Sequence, residues 1–243
     1  MVLTAHQPQY ATWLGLLHKI ALSDIYCSFD DCQMSGDGWE NRNRIKGPNG
    51  EFWLTVPIKS KNYRDKKLHE IEIDNTQRWR DKHRKSIINC YQKAKYFNEF
   101  EGFFNTLYSR EWELLTELNE YFLKWLLDLL QIKATFVRAS DYHFTGQKSD
   151  LVLDMCRQFK ADMYIFGQQG KDYADKEAFE RAGIKLHFQE YVHPVYNQLW
   201  GEYKPYMSVI DLLMNEGPRA KEIIMSGNIS KNELLGELQC LKK

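Results

Sequence analysis

Four groups of residues in this chain have the types and spacing that chemistry requires. The first is His6-Gln7-Pro8-Gln9-Tyr10, followed by Trp13 and Gly15. An imidazole titrates near neutrality and so can take or give a proton. Gln7 adds an amide, Tyr10 and Trp13 add ring surface, and Pro8 fixes the backbone of the turn. A second imidazole, His193, precedes Pro194, which biases its backbone to extended geometry and leaves its ring free to project; Tyr196 and Gln198 follow. The adjacent carboxylates Asp30 and Asp31, with Gln33 just beyond, can hold an ammonium or a cation, or act as acid and base. Trp39, Asn41, Arg42, Asn43, Arg44 and Lys46 place amide, guanidinium and ammonium donors beside an aromatic ring, an inventory suited to phosphate or sugar hydroxyls. The last group is Gly167, Gly170, Lys171, Asp172 and Tyr173. Its glycines let the backbone approach a ligand, and Lys171 can neutralise a phosphate or carboxylate. The GxxxxGK[ST] spacing of a phosphate loop is absent, and no residue set is assigned to a metal. Each group also has a plainer reading, a satisfied structural histidine or a well hydrogen-bonded surface loop.

The elements that must position these groups alternate along the chain. Residues 2–5 read as a strand ending at His6, residues 13–22 as a helix with apolar positions Trp13, Leu16, Leu17 and Ile20, and residues 25–29 as a second strand. Such a βαβ unit favours parallel pairing. Residues 30–50 lack apolar periodicity and read as one long functional loop. Residues 52–58 and 68–73 read as a hairpin or a pair of strands. Residues 77–97 and 111–130 carry apolar positions every three to four residues and read as long helices, the first with a basic face from Arg78 to Lys85 that would be solvated or would guide an anionic substrate. Strand, helix, strand, helix, strand then follow at 135–138, 148–159, 163–166, 176–182 and 184–189. The expected fold is therefore α/β, a parallel-rich, Rossmann-like sheet with helices on both faces, a single domain over 1–243 with 77–131 a mainly helical subdomain. In open sheets of this kind ligands lie beyond the C-terminal strand ends. His6, Asp30, Arg42, Lys171 and His193 are expected to converge there on one cleft.

Composition narrows the partners. Hydrophobic residues make up 43% of the chain and charged residues 27%, ordinary values for a globular protein. Formal net charge is zero, so no global basic field draws the chain to nucleic acid. There is no apolar run of about 18 residues to span a bilayer, and Met1-Val2-Leu3-Thr4 enters directly into a strand, so a cytoplasmic protein without membrane insertion is expected. Cys27, Cys32, Cys90, Cys156 and Cys240 are odd in number and widely spaced, the pattern of reduced thiols.

Taken together, HQPxYxxWLG at 6–15, DDxQ at 30–33, NRNRIKxPNG at 41–50 followed by WLTVPI, GKDY at 170–173, HPVYxQ at 193–198 and SxxDLLxNxGP at 208–218 resemble the WbqC-like family from about residue 3 to residue 218. Ala11-Thr12 stand where that family usually has Leu-Pro, and Gln168-Gln169 where small residues are common. The resemblance implies a role among bacterial surface-polysaccharide (O-antigen) genes, as a transferase or ligase passing glycine or a similar acyl group onto an amino sugar, nucleotide- or lipid-linked. In that reading His6 or His193 is the base, Asp30 and Asp31 hold the ammonium or a metal, and Arg42, Arg44 and Lys171 grip phosphate. The order of elements is also distantly similar to pantothenate synthetase, which raises ATP as the activating co-substrate, although the HxGH signature is missing. The alternative reading is a non-catalytic sugar-nucleotide or carbohydrate-binding partner of a polysaccharide assembly enzyme.

Overall fold

The computed structural model describes residues 1–36 and 38–239, with the side chains of 237–239 left aside; Cys240 lies outside the described residues. The fold is α/β. Five strands, β1 (Val2–His6), β2 (Ile25–Ser28), β5 (Thr135–Arg138), β6 (Met163–Phe166) and β7 (Lys185–Phe188), form a parallel sheet in the order β5-β2-β1-β6-β7. A separate antiparallel hairpin joins β3 (Arg42–Gly47) to β4 (Gly50–Thr55).

The central strands are apolar on both sides because both faces of the sheet are covered. Val2, Met163 and Ile165 point one way, onto Leu22 of α1 (Leu14–Leu22) and Leu234 of α9 (Lys231–Gln239). Leu3, Tyr164 and Phe166 alternate to the other face, against Val152 and Cys156 of α5 (Ser149–Gln158) and Phe179 of α6 (Lys176–Arg181). The largest core gathers the hairpin with α2 (Trp79–Tyr91), α3 (Phe97–Ser109), α4 (Leu115–Leu129), α7 (Val209–Glu216) and α8 (Ala220–Met225). Leu115, Leu118, Phe122 and Leu126 of α4 recur at helical spacing and are all buried there. The four described cysteines are free thiols.

Three expected elements differ. The polar stretch 30–50 contains strand β3, whose Asn43 and Ile45 face inward while Arg42 and Arg44 face outward. Its partner is β4; of residues 68–73, Leu68–Glu70 form a short 3-10 turn, and the expected pairing with 52–58 is reduced to one antiparallel bridge between Ile58 and Ile73. The helix expected over 77–97 stops at Tyr91, and a further helix, α3, begins at Phe97. The break is tertiary in origin: the Tyr96 ring sits where a Cβ on Gly217 would be, 2.4 Å away, and the Tyr96 amide donates to the Met214 carbonyl at 3.1 Å.

Candidate functional site

The strand order fixes where a ligand can enter. From β1 the chain moves outward to β2 and β5, then returns to the other side of β1 for β6 and β7. The switch point is thus the crevice beyond the C-terminal ends of β1 and β6, the position where open α/β sheets bind ligands. His6 ends β1, and Gly167 follows β6. Three connected lobes meet there, each lined by His6 and Gln169. The first, about 550 Å³, runs under the sheet edge and is mainly apolar, with Phe29, Leu151, Met155, Phe166, Gly170 and Tyr173. The second, about 720 Å³, is aromatic and polar, with Gln7, Gln9, Trp13, Gly38, Trp39, Glu40, Arg44 and Tyr206. The third, about 310 Å³, lies against α1 and includes Lys19, Gln189 and Tyr191.

His6 is the hinge of this arrangement. Its Nδ1 lies 2.9 Å from the Gln7 carbonyl, which only accepts, so the proton is on Nδ1 and Nε2 carries the lone pair. Nε2 has no protein partner among the described residues, and the ring is partly open to the cleft. Desolvation and the Lys19 charge drive its pKa down to about 3, against the Gln7 hydrogen bond, so the resting ring is neutral.

Lys19 lies on the sheet-facing side of α1, 3% exposed, and lines the first and third lobes. Its Nζ donates to the Ala5 carbonyl at 3.1 Å, and no carboxylate pairs with it among the described residues. Burial pushes its pKa down to about 7. An ammonium next to a ligand cavity without a counter-ion is a seat for an anion. Behind it, Gln189 Nε2 donates to the His18 ring at 2.9 Å and to the Gly15 carbonyl at 2.9 Å, holding α1 to the end of β7.

The aromatic lobe is built by close approach. A Cβ on Gly15 would lie 2.2 Å from the Trp13 ring, so only glycine lets that ring fold over α1. Trp39 packs on Trp53 of β4 at 5.1 Å, and the Arg44 guanidinium sits 5.6 Å from each ring while pairing with Glu51 at 2.9 Å.

Of the residues singled out in the sequence, His6, Gln7, Trp13, Trp39, Arg44, Gly167, Gly170 and Tyr173 line the cleft. The expected convergence of His6, Asp30, Arg42, Lys171 and His193 does not occur, because the last four are engaged elsewhere. Asp30 is buried and accepts from the Ser140 amide and hydroxyl at 2.9 and 2.7 Å, which spends its carboxylate on a turn. Asp31 pairs with Lys67 at 2.6 Å, and Gln33 bridges to Lys67 in an isolated ladder contact. Arg42 lies over Trp53, donates to the Gly38 carbonyl at 3.3 Å and borders a separate hollow of about 240 Å³ that Asn41 also lines. Asn41 donates to Val56, and Asn43 clamps the Ala11 carbonyl at 2.8 Å. Lys171 pairs with Glu190 on the surface, where Asp172 is also exposed. Both nitrogens of His193 are used: Nδ1–H donates to the Tyr203 hydroxyl at 2.9 Å, and Nε2 accepts from the Tyr206 amide at 3.3 Å. That ring therefore shapes the loop carrying Tyr206 and leaves no lone pair for substrate. Tyr10 is buried against His83 and Tyr108, 2.9 and 2.5 Å away. Tyr196, Lys46 and Gln198 join an interior network around Asp211, which accepts from Tyr91 and Tyr196 at 2.8 and 2.9 Å. Burial raises the Asp211 carboxyl to about 6.

Comparison with known proteins follows the same span as these motifs. The model of the WbqC-like protein family matches residues 7–223. The chain belongs to the WbqC-like family. A protein of Mycobacterium tuberculosis (strain ATCC 25618 / H37Rv), described as uncharacterized protein Rv1507c, is 31% identical over 220 residues, 90% of this chain and 95% of that protein. No solved structure gives a significant match. Among the described residues of this WbqC-like chain no helix is long and apolar enough to cross a membrane, and no group of three His, Cys, Asp or Glu side chains could hold a metal ion. Its cleft adds residues with no role assigned from the sequence: Lys19, Glu40, Gln9, Gln169 and Tyr206. For Lys19 a signal existed, a lysine within the otherwise apolar helix LGLLHKIAL.

Proposed function

We propose that this chain forms an amide on an amino sugar, as a transferase or ligase that passes glycine or a similar acyl group during surface-polysaccharide assembly. The observation that carries the reading is the pairing of His6 Nε2, a fixed lone pair at the sheet switch point, with the uncompensated Lys19 ammonium lining the same cleft. In the transfer, the acceptor first releases its ammonium proton to water, and the neutral amine nitrogen then bonds to the acyl carbon. The bond to the leaving group breaks with its electron pair, and the amine proton passes to Nε2. The anionic donor group seats on Lys19; desolvation is the main depression of His6 and the Lys19 charge adds to it, so an anion that offsets this charge makes the imidazole more basic when the site is loaded. The apolar first lobe suits the body of the donor, and the aromatic second lobe suits a sugar ring, whose apolar face stacks on indole. ATP as activator fits the anion seat.

The test is mass spectrometry of a nucleotide-linked amino sugar incubated with glycine and ATP, and in parallel with an acyl-CoA. Expected is an acylated sugar whose rate of formation falls about 10²–10⁴-fold in His6→Gln, with the melting temperature unchanged. A folded wild type that binds the sugar and acylates it from no donor would favour the non-catalytic binding role. A fully active His6→Gln would remove the imidazole from the mechanism.

A further inference from the structure

The second lobe holds a carboxylate that nothing above employs. Glu40 is 1% exposed and lines this lobe. Its Oε1 accepts from the Ser35 hydroxyl at 2.5 Å and the Ser35 amide at 3.2 Å, while Oε2 is buried with no hydrogen-bond partner among the described residues. The backbone around it is held in place: Asn119 donates to the Glu40 carbonyl at 2.8 Å, and the Trp39 carbonyl accepts from the Tyr10 amide at 3.2 Å. Gly38 makes the room, because a Cβ there would lie 1.8 Å from Oε2. A second orphan borders the same lobe: Arg44 Nε is buried and unpartnered, although its terminal nitrogens reach Glu51 and the Tyr206 carbonyl. A buried charged oxygen without a donor is costly, and a pair of unmet groups of opposite kind in one lobe calls for a ligand that presents a donor beside an acceptor.

We infer that the second lobe recognises a primary ammonium on a hydroxylated ring, the ammonium donating to Glu40 Oε2 and a neighbouring ring oxygen accepting from Arg44 Nε. The walls agree with this. Trp13, Trp39 and Tyr206 surround the lobe, and aromatic faces attract an ammonium while stacking on the apolar face of a sugar. A neutral hydroxyl in place of the ammonium would keep the hydrogen bond and lose its charge assistance. Glu40 is therefore a specificity residue, separate from the proton-accepting imidazole. The inference deepens the proposed function by naming how the acceptor is told from an ordinary sugar, and it rests on that reading for the identity of the ring.

The experiment is calorimetric titration of the full chain with UDP-glucosamine and UDP-glucose, which share nucleotide and phosphates and differ in the amine. Wild type is expected to prefer the amine about 10- to 100-fold. Glu40→Gln, which retains the acceptor oxygen for Ser35, should erase the preference while keeping the affinity for UDP-glucose. If wild type shows no preference, or Glu40→Gln retains it, the subsite is refuted, and the first of these outcomes needs no variant to fold. An amine preference erased in Glu40→Gln, with no acylated product from any donor, supports the subsite and ends the transfer reading. Product formation with the preference intact in Glu40→Gln does the reverse.

Discussion

Replacing Lys19 by Met should stabilise the fold and disarm the cleft, and the size of the first effect follows from the structure. Burial moves the proton affinity of this ammonium from an ordinary 10.5 to about 7. At about 1.4 kcal/mol per pH unit, that difference destabilises the folded chain by roughly 4 kcal/mol at pH 7. The sign is set by the protons bound: between pH 7 and 10.5 the unfolded chain holds one more, so raising the pH favours folding and the penalty fades. Below pH 7 both states are charged and the whole penalty is present. Methionine fills the same space without charge and forfeits one hydrogen bond to the Ala5 carbonyl, worth about 1 kcal/mol. The net gain is about 3 kcal/mol near neutrality, or about 6–12 °C in melting temperature for a chain of this size, and close to zero by pH ~10. Thermal melts of both proteins at pH ~6, ~7, ~8.5 and ~10 measure this. A parallel series with inorganic phosphate should raise the melting temperature of wild type alone, because an anion needs the ammonium. A variant that is less stable at pH 7, or whose gain does not change with pH, would show that Lys19 is an ordinary packed lysine.

Three further outcomes are expected. His193→Phe keeps the ring volume and removes both hydrogen bonds to the 203–206 loop; the melting temperature should drop, with acceptor affinity falling alongside it and the pH profile of turnover unmoved. Asp30→Ala strips the Ser140 amide and hydroxyl of their acceptor and should cost about 1–3 kcal/mol in urea unfolding without a selective effect on ligand binding. Asp211, raised from 3.8 to about 6, binds a proton in the folded state that the unfolded state has lost, so stability should decline by about 3 kcal/mol as pH rises through that window; in Asp211→Asn this part of the pH–stability curve should be flat.

How far the sequence reached depended on what kind of force set each feature. The central strands were legible because residues such as Val2, Leu3, Ile165 and Phe166 are buried on both faces and leave an uninterrupted apolar signature. Strand β3 was not, because NRNRIK has few residues that favour a pleat; its conformation comes from Asn43 clamping the Ala11 carbonyl and Ile45 entering the core. At the site, His6 and its neighbours were placed by the strand end alone. Asp30 and His193 look equally reactive on paper, yet Ser140 and Tyr203 absorb them, and those partners lie 110 and 10 residues away. Lys19 and Glu40 were passed over for the opposite reason. Their chemistry arises from partners that are missing, and a missing partner leaves no mark in a sequence.

The strand order also dictates when this site can come into being. Strand β1 finds β2 about as soon as both exist, but its other neighbour, β6, pairs Ile165 with Thr4 at a sequence separation of 161. At about 5–20 residues per second, ribosomal synthesis leaves that edge of β1 unpaired for roughly 8–30 s. Closing so long a loop is entropically slow, and an open parallel edge is a template for wrong partners in the meantime. Gln169 and Gly167 arrive only with β6, so no nascent chain shorter than this has a cleft to fill. Binding competence is therefore a late event in the life of each molecule, and the exposed edge of β1 marks the interval in which a chaperone would have most to protect.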